Sequence, residues 1–192
     1  DLPAPGGGSV AALCGALASG LVSMVGSLTV GKEKYRDSWE PMERVLCESE
    51  ALRAEFVALM SEDIASFNGF MAELRMTRAT EEEKSARKAA MSDAAKAAAE
   101  VPLRCLEACV RTARLASEAA DFGNTTAASD AGCAALIAEA AGKAAAFNVK
   151  VNFPSIRDEA FVEECRGRME RALEELRKLA AEVDGKMAGV VE

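Results

Sequence analysis

The sequence predicts an all-α protein, a bundle of long helices built around one buried helix of small residues. Apolar residues recur at steps of three and four over long segments, and no segment alternates with the period of a strand. Five prolines and nine aromatic residues (seven Phe, one Tyr, one Trp) accompany abundant alanine, a strong helix former. We expect a single domain over residues 1–192, and the abrupt Pro-Gly start leaves room for a preceding helix outside this sequence.

Charge and residue types exclude several classes of function. A net charge of −8 argues against nucleic-acid binding, which needs clustered Lys and Arg. Histidine is absent, which excludes Ser-His-Asp and Cys-His catalysis and most catalytic zinc sites, so acid–base chemistry must use other groups. The six cysteines include no CxxC pair, and we expect reduced core thiols in a cytoplasmic protein, although an even count is also compatible with disulfides.

The first long helix is predicted over residues 10–30, which carry no charge. Its length alone would suit a membrane span. Three glycines and three serines dilute the segment and no second span follows it, so we expect no membrane association. Small residues recur every four positions at Gly15, Ser19, Ser23 and Ser27, which would let another helix approach closely. We interpret the segment as a central helix, apolar and buried on all sides.

Capping residues divide the rest of the chain into four helices, each with an apolar face or an Ala-rich sequence. Pro102 is expected to kink or restart the second of these four, because proline lacks the N–H group that the helix needs. The signals, in chain order, are Ser38 with Pro41, the capping box of Thr80 with Glu83, the stop at Gly123-Asn124, the Ala-rich segment 127–151, and Ser155 with Asp158.

The glycine-rich turn before the first helix is the first candidate binding site. Gly6-Gly7-Gly8-Ser9 lets the backbone approach a ligand, and N–H groups at a helix start bind anions or polarised carbonyls. No Gly-Lys-Ser/Thr closes the turn and no strand precedes it, so it is neither a P-loop nor a dinucleotide fingerprint. The competing interpretation is a tight entry turn with Ser9 as the N-cap.

Asp63 is the candidate catalytic residue. Phe56, Leu59 and Phe67 lie at helical steps from it, so Asp63 lies on or beside the apolar stripe of its helix. A carboxylate that is partly removed from water is suited to accepting and returning a proton. The alternative is a carboxylate at the edge of the stripe, paired with a lysine or a helix end.

Four further polar positions have two interpretations each. Lys32 and Tyr35 follow the first helix, where the helix dipole favours a cation, but a lysine there would also suit a substrate that bears a carboxylate. Asp130 and Asn148 share one face of the Ala-rich helix, but the 18 residues between them correspond to about 27 Å. They mark the two ends of a long ligand, mark two different sites, or serve as a cap and a buried amide.

A set of short sequence blocks occurs in one order along almost the whole chain. The blocks are Pro3–Ser9, Leu28–Tyr35, Asp63–Phe67, Glu82–Lys84, Glu100–Leu103, Gly123–Asn124, Ser129–Ala131 and Phe147–Asn152. As a set they resemble the family of formiminotetrahydrofolate cyclodeaminases and methenyltetrahydrofolate cyclohydrolases. In animals this module is the C-terminal half of formiminotransferase-cyclodeaminase.

The resemblance implies an all-helical homodimer that binds a tetrahydrofolate derivative in a cleft, with no metal or redox cofactor. It assigns catalysis to Asp63. A separate formiminotransferase is a compatible partner, because the family's transferase domain is absent from this sequence. The residues that the resemblance assigns to substrate binding are Gly7, Gly8, Ser9, Lys32, Tyr35, Asp130 and Asn148.

The reaction that the resemblance implies first is conversion of 5-formimino-tetrahydrofolate to 5,10-methenyl-tetrahydrofolate with release of ammonia. Asp63 would act as base and then as acid. The alternative within the family is the cyclohydrolase reaction, in which water opens 5,10-methenyl-tetrahydrofolate to 10-formyl-tetrahydrofolate. Both reactions use the same electrophilic carbon, so the sequence separates them poorly. A second alternative is a non-catalytic helical module that binds folate or another partner.

Overall fold

A computed structural model describes residues 5–189, which form five α-helices and three short 3-10 segments. No strand occurs in this part of the chain, so the all-α prediction is confirmed. Pro3 and Ala4 of the glycine-rich block lie outside the described residues. The α-helices are α1 (Gly7–Thr29), α2 (Trp39–Leu74), α3 (Glu81–Phe122), α4 (Ala128–Lys150) and α5 (Glu159–Ala188), and the 3-10 segments Glu33–Ser38, Thr125–Ala127 and Phe153–Ser155 precede α2, α4 and α5.

α1 is the central helix, and it packs against α2, α3 and α4. Gly15 is required by the contact with α2, because a methyl group there would lie 2.3 Å from the ring of Phe56. Ser19 is fully buried and its hydroxyl is 3.0 Å from that of Thr112 on α3. The predicted close approach of neighbouring helices is therefore confirmed along most of the small-residue stripe, although Ser27 at its end is exposed.

One face of α1 is exposed, so the prediction of a helix buried on all sides is wrong. We call this stripe the outer apolar face; it consists of Val10, Leu13, Leu17, Met24 and Leu28, which are 39–58% exposed. The neighbouring helix α4 and the residue that follows it add three further exposed apolar side chains, those of Leu136, Phe147 and Val151. α1 has the length and mean hydropathy of a membrane span, 1.8, yet 61% of that span is buried inside the chain.

The start of α3 confirms the predicted capping box. The Thr80 hydroxyl accepts from the N–H of Glu83 at 3.2 Å, and the Glu83 carboxylate accepts from the N–H of Thr80 at 3.2 Å. α2 begins after Ser38 and α3 ends at Gly123, as predicted, although the Ser38 side chain makes no capping hydrogen bond. Side-chain capping and helix-stop signals were therefore good guides to these boundaries.

Two predicted caps are wrong. α1 begins two residues before Ser9, with Gly6 as its N-cap, so the Ser9 hydroxyl is available for a contact elsewhere. α5 begins after Asp158, whose carboxylate accepts from the N–H of Phe161 at 3.1 Å. Ser155 instead belongs to the 3-10 segment that precedes α5.

Pro102 does not restart α3, which runs without a break from Glu81 to Phe122. Proline cannot donate to the carbonyl four residues earlier, which is that of Ala98. Asn152, just after α4, replaces the missing donor, because its Nδ2 atom donates to the Ala98 carbonyl at 3.0 Å. A contact between helices thus satisfies the backbone group that the proline leaves unpaired.

The six cysteines are unpaired thiols, but only three of them lie in the core. Cys105, Cys109 and Cys165 are buried, whereas Cys47 and Cys133 are exposed. A hydrogen bond with Cys105, together with burial, raises the pKa of the Cys109 thiol. The prediction of core thiols is therefore right for half of them, and the cytoplasmic location stays a prediction.

Candidate active site

A cleft of about 380 Å³ opens at the beginning of α1. Its walls come from the C-terminal half of α2, one residue of α3, and the end of α4 with the segment that follows it. Four of the eight predicted site residues line it: Gly7, Gly8, Asp63 and Asn148. The full lining is Gly6, Gly7, Gly8, Asp63, Ile64, Ser66, Phe67, Phe70, Ala98, Asn148, Val151, Asn152 and Ser155.

The carboxylate of Asp63 lies directly against the first turn of α1. Ser9 is 1% exposed and its hydroxyl donates to Asp63 Oδ2 at 2.7 Å. A methyl group at Gly8 would lie 2.3 Å from Asp63 Oδ1, so the glycine allows the close approach of the carboxylate. Ser9, predicted to bind substrate, thus holds one oxygen of the predicted catalytic group.

The first turn of α1 presents hydrogen-bond donors to the same cleft. The first N–H groups of a helix have no acceptor within the helix, and among residues 5–189 no side chain caps those of α1. No acidic residue occupies this turn either, so the positive end of the helix dipole is not neutralised there by α1 itself. These N–H groups can bind a substrate oxygen or stabilise negative charge that develops beside Asp63.

The apolar wall of the cleft was missed by the sequence analysis. The sequence analysis placed Phe67 on the apolar stripe of α2, which is buried up to Leu59. Beyond that residue the stripe leaves the core, and Ile64, Phe67 and Phe70 line the cleft instead. The steps of four and three from Asp63 to Phe67 and Phe70 were a signal that these side chains share its face.

Three predicted site residues lie at the other end of α1. Lys32 is exposed, Asp130 is half-buried in the first turn of α4, and the Tyr35 hydroxyl donates to Asn124 Oδ1 at 2.9 Å. A hydrogen bond with Thr125 lowers the pKa of that hydroxyl. The length of α1 separates this group from Asp63 by about 30 Å. A single chain therefore does not bring the two groups of residues together.

Potential metal ligands are also scattered. Between residues 5 and 189, no group of three or more Cys, Asp and Glu side chains is arranged so that it could hold a metal ion. The polar groups that do converge are one carboxylate, the hydroxyls of Ser9, Ser66 and Ser155, two amides and the N–H groups of a helix start. Such a set can bind a polar heterocycle and move a proton.

A family model and two similar proteins all relate this chain to enzymes of folate metabolism. The sequence model of the Formiminotransferase-cyclodeaminase family matches residues 1–171. Over 180 residues the chain is 41% identical to a methenyltetrahydrofolate cyclohydrolase of Methylorubrum extorquens, covering 94% of this chain and 83% of that protein. Over 184 residues it is 33% identical to the formimidoyltransferase-cyclodeaminase of Rattus norvegicus, covering 96% of this chain but only 34% of the rat protein.

The fold has a solved counterpart. The crystal structure of formiminotetrahydrofolate cyclodeaminase from Thermotoga maritima matches with a TM-score of 0.89 and 29% identity, over 100% of this chain and 91% of that one. Sequence and fold thus agree along the whole length that carries the cleft. The chain belongs to the formiminotransferase-cyclodeaminase family, whose matching members are folate cyclodeaminases and cyclohydrolases.

Proposed function

We propose that this protein is a 5,10-methenyl-tetrahydrofolate cyclohydrolase that forms 10-formyl-tetrahydrofolate. The observation that carries the proposal is the Asp63 carboxylate, held by Ser9 in a partly apolar cleft, beside helix-start N–H groups that no side chain of residues 5–189 caps. The cyclohydrolase relative is 41% identical over most of its length, which favours hydrolysis over the ammonia-releasing reaction that the sequence analysis placed first.

The proposed mechanism uses Asp63 twice. Water attacks the methenyl carbon between N5 and N10, and Asp63 takes a proton from the water as the carbon–oxygen bond forms. The bond from this carbon to N5 then breaks, N5 receives the proton from Asp63, and the hydroxyl proton leaves to solvent as the formyl carbonyl forms. Negative charge on the oxygen during these steps is stabilised by the N–H groups at the start of α1.

The second candidate is the cyclodeaminase reaction, which the Thermotoga maritima structure supports. N10 attacks the formimino carbon on N5, Asp63 takes the proton from N10, and the amino group leaves as ammonia after receiving a proton. The rat relative carries both activities in its name, so a separate formimidoyltransferase is the proposed partner under this candidate.

Replacing Asp63 with Asn tests the shared part of both candidates. Asn has nearly the same shape but cannot exchange a proton, so turnover should fall by about 10²–10⁴ while folding and folate affinity persist. Absorbance of methenyl-tetrahydrofolate, followed from either methenyl- or 5-formimino-tetrahydrofolate, distinguishes the two reactions. Asp184→Asn, the same change on the exposed side of α5, is the matched control. An Asp63→Asn variant as active as this control would exclude Asp63 as the catalyst.

We also propose that the protein is a two-fold homodimer that packs through the outer apolar face. This face extends from Val10 to Leu28 and is centred near the middle of α1, so an antiparallel copy would match it with itself. The antiparallel arrangement also pairs opposite ends of the two helix dipoles. It would bring Lys32 of the partner subunit toward the cleft that holds Asp63, which accounts for predicted site residues at both ends of one helix.

Mixing two inactive variants tests this shared site. Asp63→Asn and Lys32→Ala chains, unfolded together and refolded, should form mixed dimers with one intact site each. Roughly a quarter of the wild-type activity should then return, because half of the dimers are mixed and each has one of two sites intact. Variants that are impaired alone and stay impaired together would place both residues in the site of one chain and refute the shared site.

A further inference from the structure

The side-chain amides of Asn148 and Asn152 are held in one orientation. Asn148 Nδ2 donates to the carbonyl of Ala144 at 2.9 Å. Asn152 Nδ2 donates to the carbonyl of Ala98 at 3.0 Å and to that of Asn148 at 2.8 Å. A backbone carbonyl can only accept a hydrogen bond, so the amide nitrogen must face it and the amide oxygen must face away.

Both amide oxygens are therefore available to a ligand. Asn148 and Asn152 line the cleft, and the hydrogen bonds within residues 5–189 use only their nitrogen atoms. Each amide oxygen can accept two hydrogen bonds. The two residues are one helical turn apart, which places their side chains about 5–6 Å from each other. This wall of the cleft presents two acceptors in a row.

The acceptors stand in a defined position relative to the reacting group. Asn148 lies beside Gly7, where an added methyl group would be 3.3 Å from its amide nitrogen. Asn152 lies one turn further along the chain and contacts Ala98 of α3, whereas the side chain nearest to Gly7 is that of Asn148. A flat ligand that reaches from Asp63 along these amides can pack one face against Phe67 and Phe70, which line the same cleft.

We propose that Asn148 and Asn152 recognise the tetrahydropterin ring through its N–H donors, an inference that rests on the proposed folate function. One edge of this ring carries the 2-amino group and the N8–H group, on either side of N1. Asn152 accepts from the 2-amino group, which is the donor furthest from the N5–N10 reaction centre, and Asn148 accepts from N8–H. The pair selects a pterin with donors at both positions and directs its reactive side toward Asp63.

Calorimetric titration with a non-reacting ligand tests the assignment. The ligands are 5-formyl-tetrahydrofolate and its analogue with a methyl group in place of the 2-amino group. Wild-type protein should bind the analogue about 10- to 100-fold more weakly, because the amide oxygen of Asn152 then loses its donor. In Asn152→Ala the normal ligand should bind more weakly by a similar factor, and the two ligands should bind equally. Asn68→Ala on the exposed side of α2 is the matched control and should retain the wild-type preference.

Three outcomes separate this inference from the proposed function. Equal binding of both ligands to an active wild-type enzyme would overturn the inference alone, as would an unchanged preference in Asn152→Ala. If Asn152→Ala does not fold, the comparison uses Asn148→Ala and an analogue of 5-formyl-tetrahydrofolate that has carbon in place of N8. Wild-type protein should bind this analogue more weakly than the normal ligand, and Asn148→Ala should bind the two equally. Equal binding to wild-type protein, or an unchanged preference in Asn148→Ala, would overturn the inference. Failure of folded wild-type protein to bind either ligand would overturn the proposed function and the inference with it.

Discussion

A single methyl group added at Gly8 should remove most of the turnover and leave the fold intact. The added carbon would lie 2.3 Å from Asp63 Oδ1, 2.7 Å from Cγ and 2.8 Å from Oδ2. Atoms that are not bonded to each other pack at about 3.5 Å, so the carboxylate must retreat by roughly 1 Å. The group that moves is the end of a flexible side chain, so the helix itself can remain in place.

The expected loss of activity follows from this displacement. A misplacement of about 1 Å in a catalytic group can reduce turnover by about 10²-fold. Stability should fall by no more than about 2 kcal/mol: alanine favours a helix over glycine by up to about 1 kcal/mol, which offsets part of the weakened hydrogen bond between Ser9 and Asp63, worth about 1.5–3 kcal/mol. The variant therefore separates catalysis from folding.

Gly185→Ala, at an exposed position of α5 away from the cleft, is the matched control for Gly8→Ala, because an added methyl group at Gly185 has no neighbour within 4 Å. Turnover from methenyl-tetrahydrofolate, affinity for 5-formyl-tetrahydrofolate and melting temperature should be measured on both variants. Gly185→Ala should retain most of the wild-type turnover. If Gly8→Ala is as active as Gly185→Ala, the position of the carboxylate over the start of α1 does not matter, and the reasoning is refuted.

Three further predictions concern positioning, assembly and the thiols. Ser9→Ala should lower kcat by about tenfold with little change in KM, since the hydroxyl contacts the catalytic carboxylate and not the cleft; a change confined to KM would contradict this. Leu17→Glu on the outer apolar face should halve the particle mass measured by light scattering. The control Val57→Glu, at similar exposure on α2, should leave that mass unchanged. A wild-type particle of 20.2 kDa, the mass of one chain, would contradict the dimer. Burial and the raised pKa of Cys109 should delay its alkylation until the protein unfolds, while the two exposed thiols react in the native state; rapid labelling of Cys109 would contradict its burial.

The fold was predictable because its signals are local. The capping box of Thr80 with Glu83 and the helix stop at Gly123 both operate within a few residues. The exposure of the outer apolar face was not predictable in the same way. An uncharged helix has the same sequence pattern whether all of its faces pack within one chain or one face packs against another copy. The identity of Leu17, on the outer apolar face, does not distinguish these two cases.

The site was predictable only in part, since most of its contacts join distant parts of the chain. Asp63 could be identified because apolar residues at helical steps place it on a stripe where a charge is unusual. The hydrogen bond that holds Asp63 could not be predicted in this way, because its donor, Ser9, is 54 residues away in sequence. The sequence left Ser9 as a substrate-binding residue or an N-cap; the cap interpretation is wrong, because Gly6 is the N-cap and the Ser9 hydroxyl donates to Asp63.

Pro102 illustrates how a tertiary contact overrides a local rule beside a binding site. A proline in a helix interior costs about 3 kcal/mol, in part because it leaves the carbonyl four residues earlier without a donor. In α3 that carbonyl belongs to Ala98, and it accepts from the amide nitrogen of Asn152. The same hydrogen bond directs the amide oxygen of Asn152, which lines the cleft, away from this carbonyl. With alanine at position 102, the backbone N–H of that residue could donate to the Ala98 carbonyl. The amide of Asn152 would then compete for the acceptor that fixes its orientation. The proline that the sequence marked as an interruption thus leaves α3 continuous and contributes to the shape and polarity of the proposed pterin site.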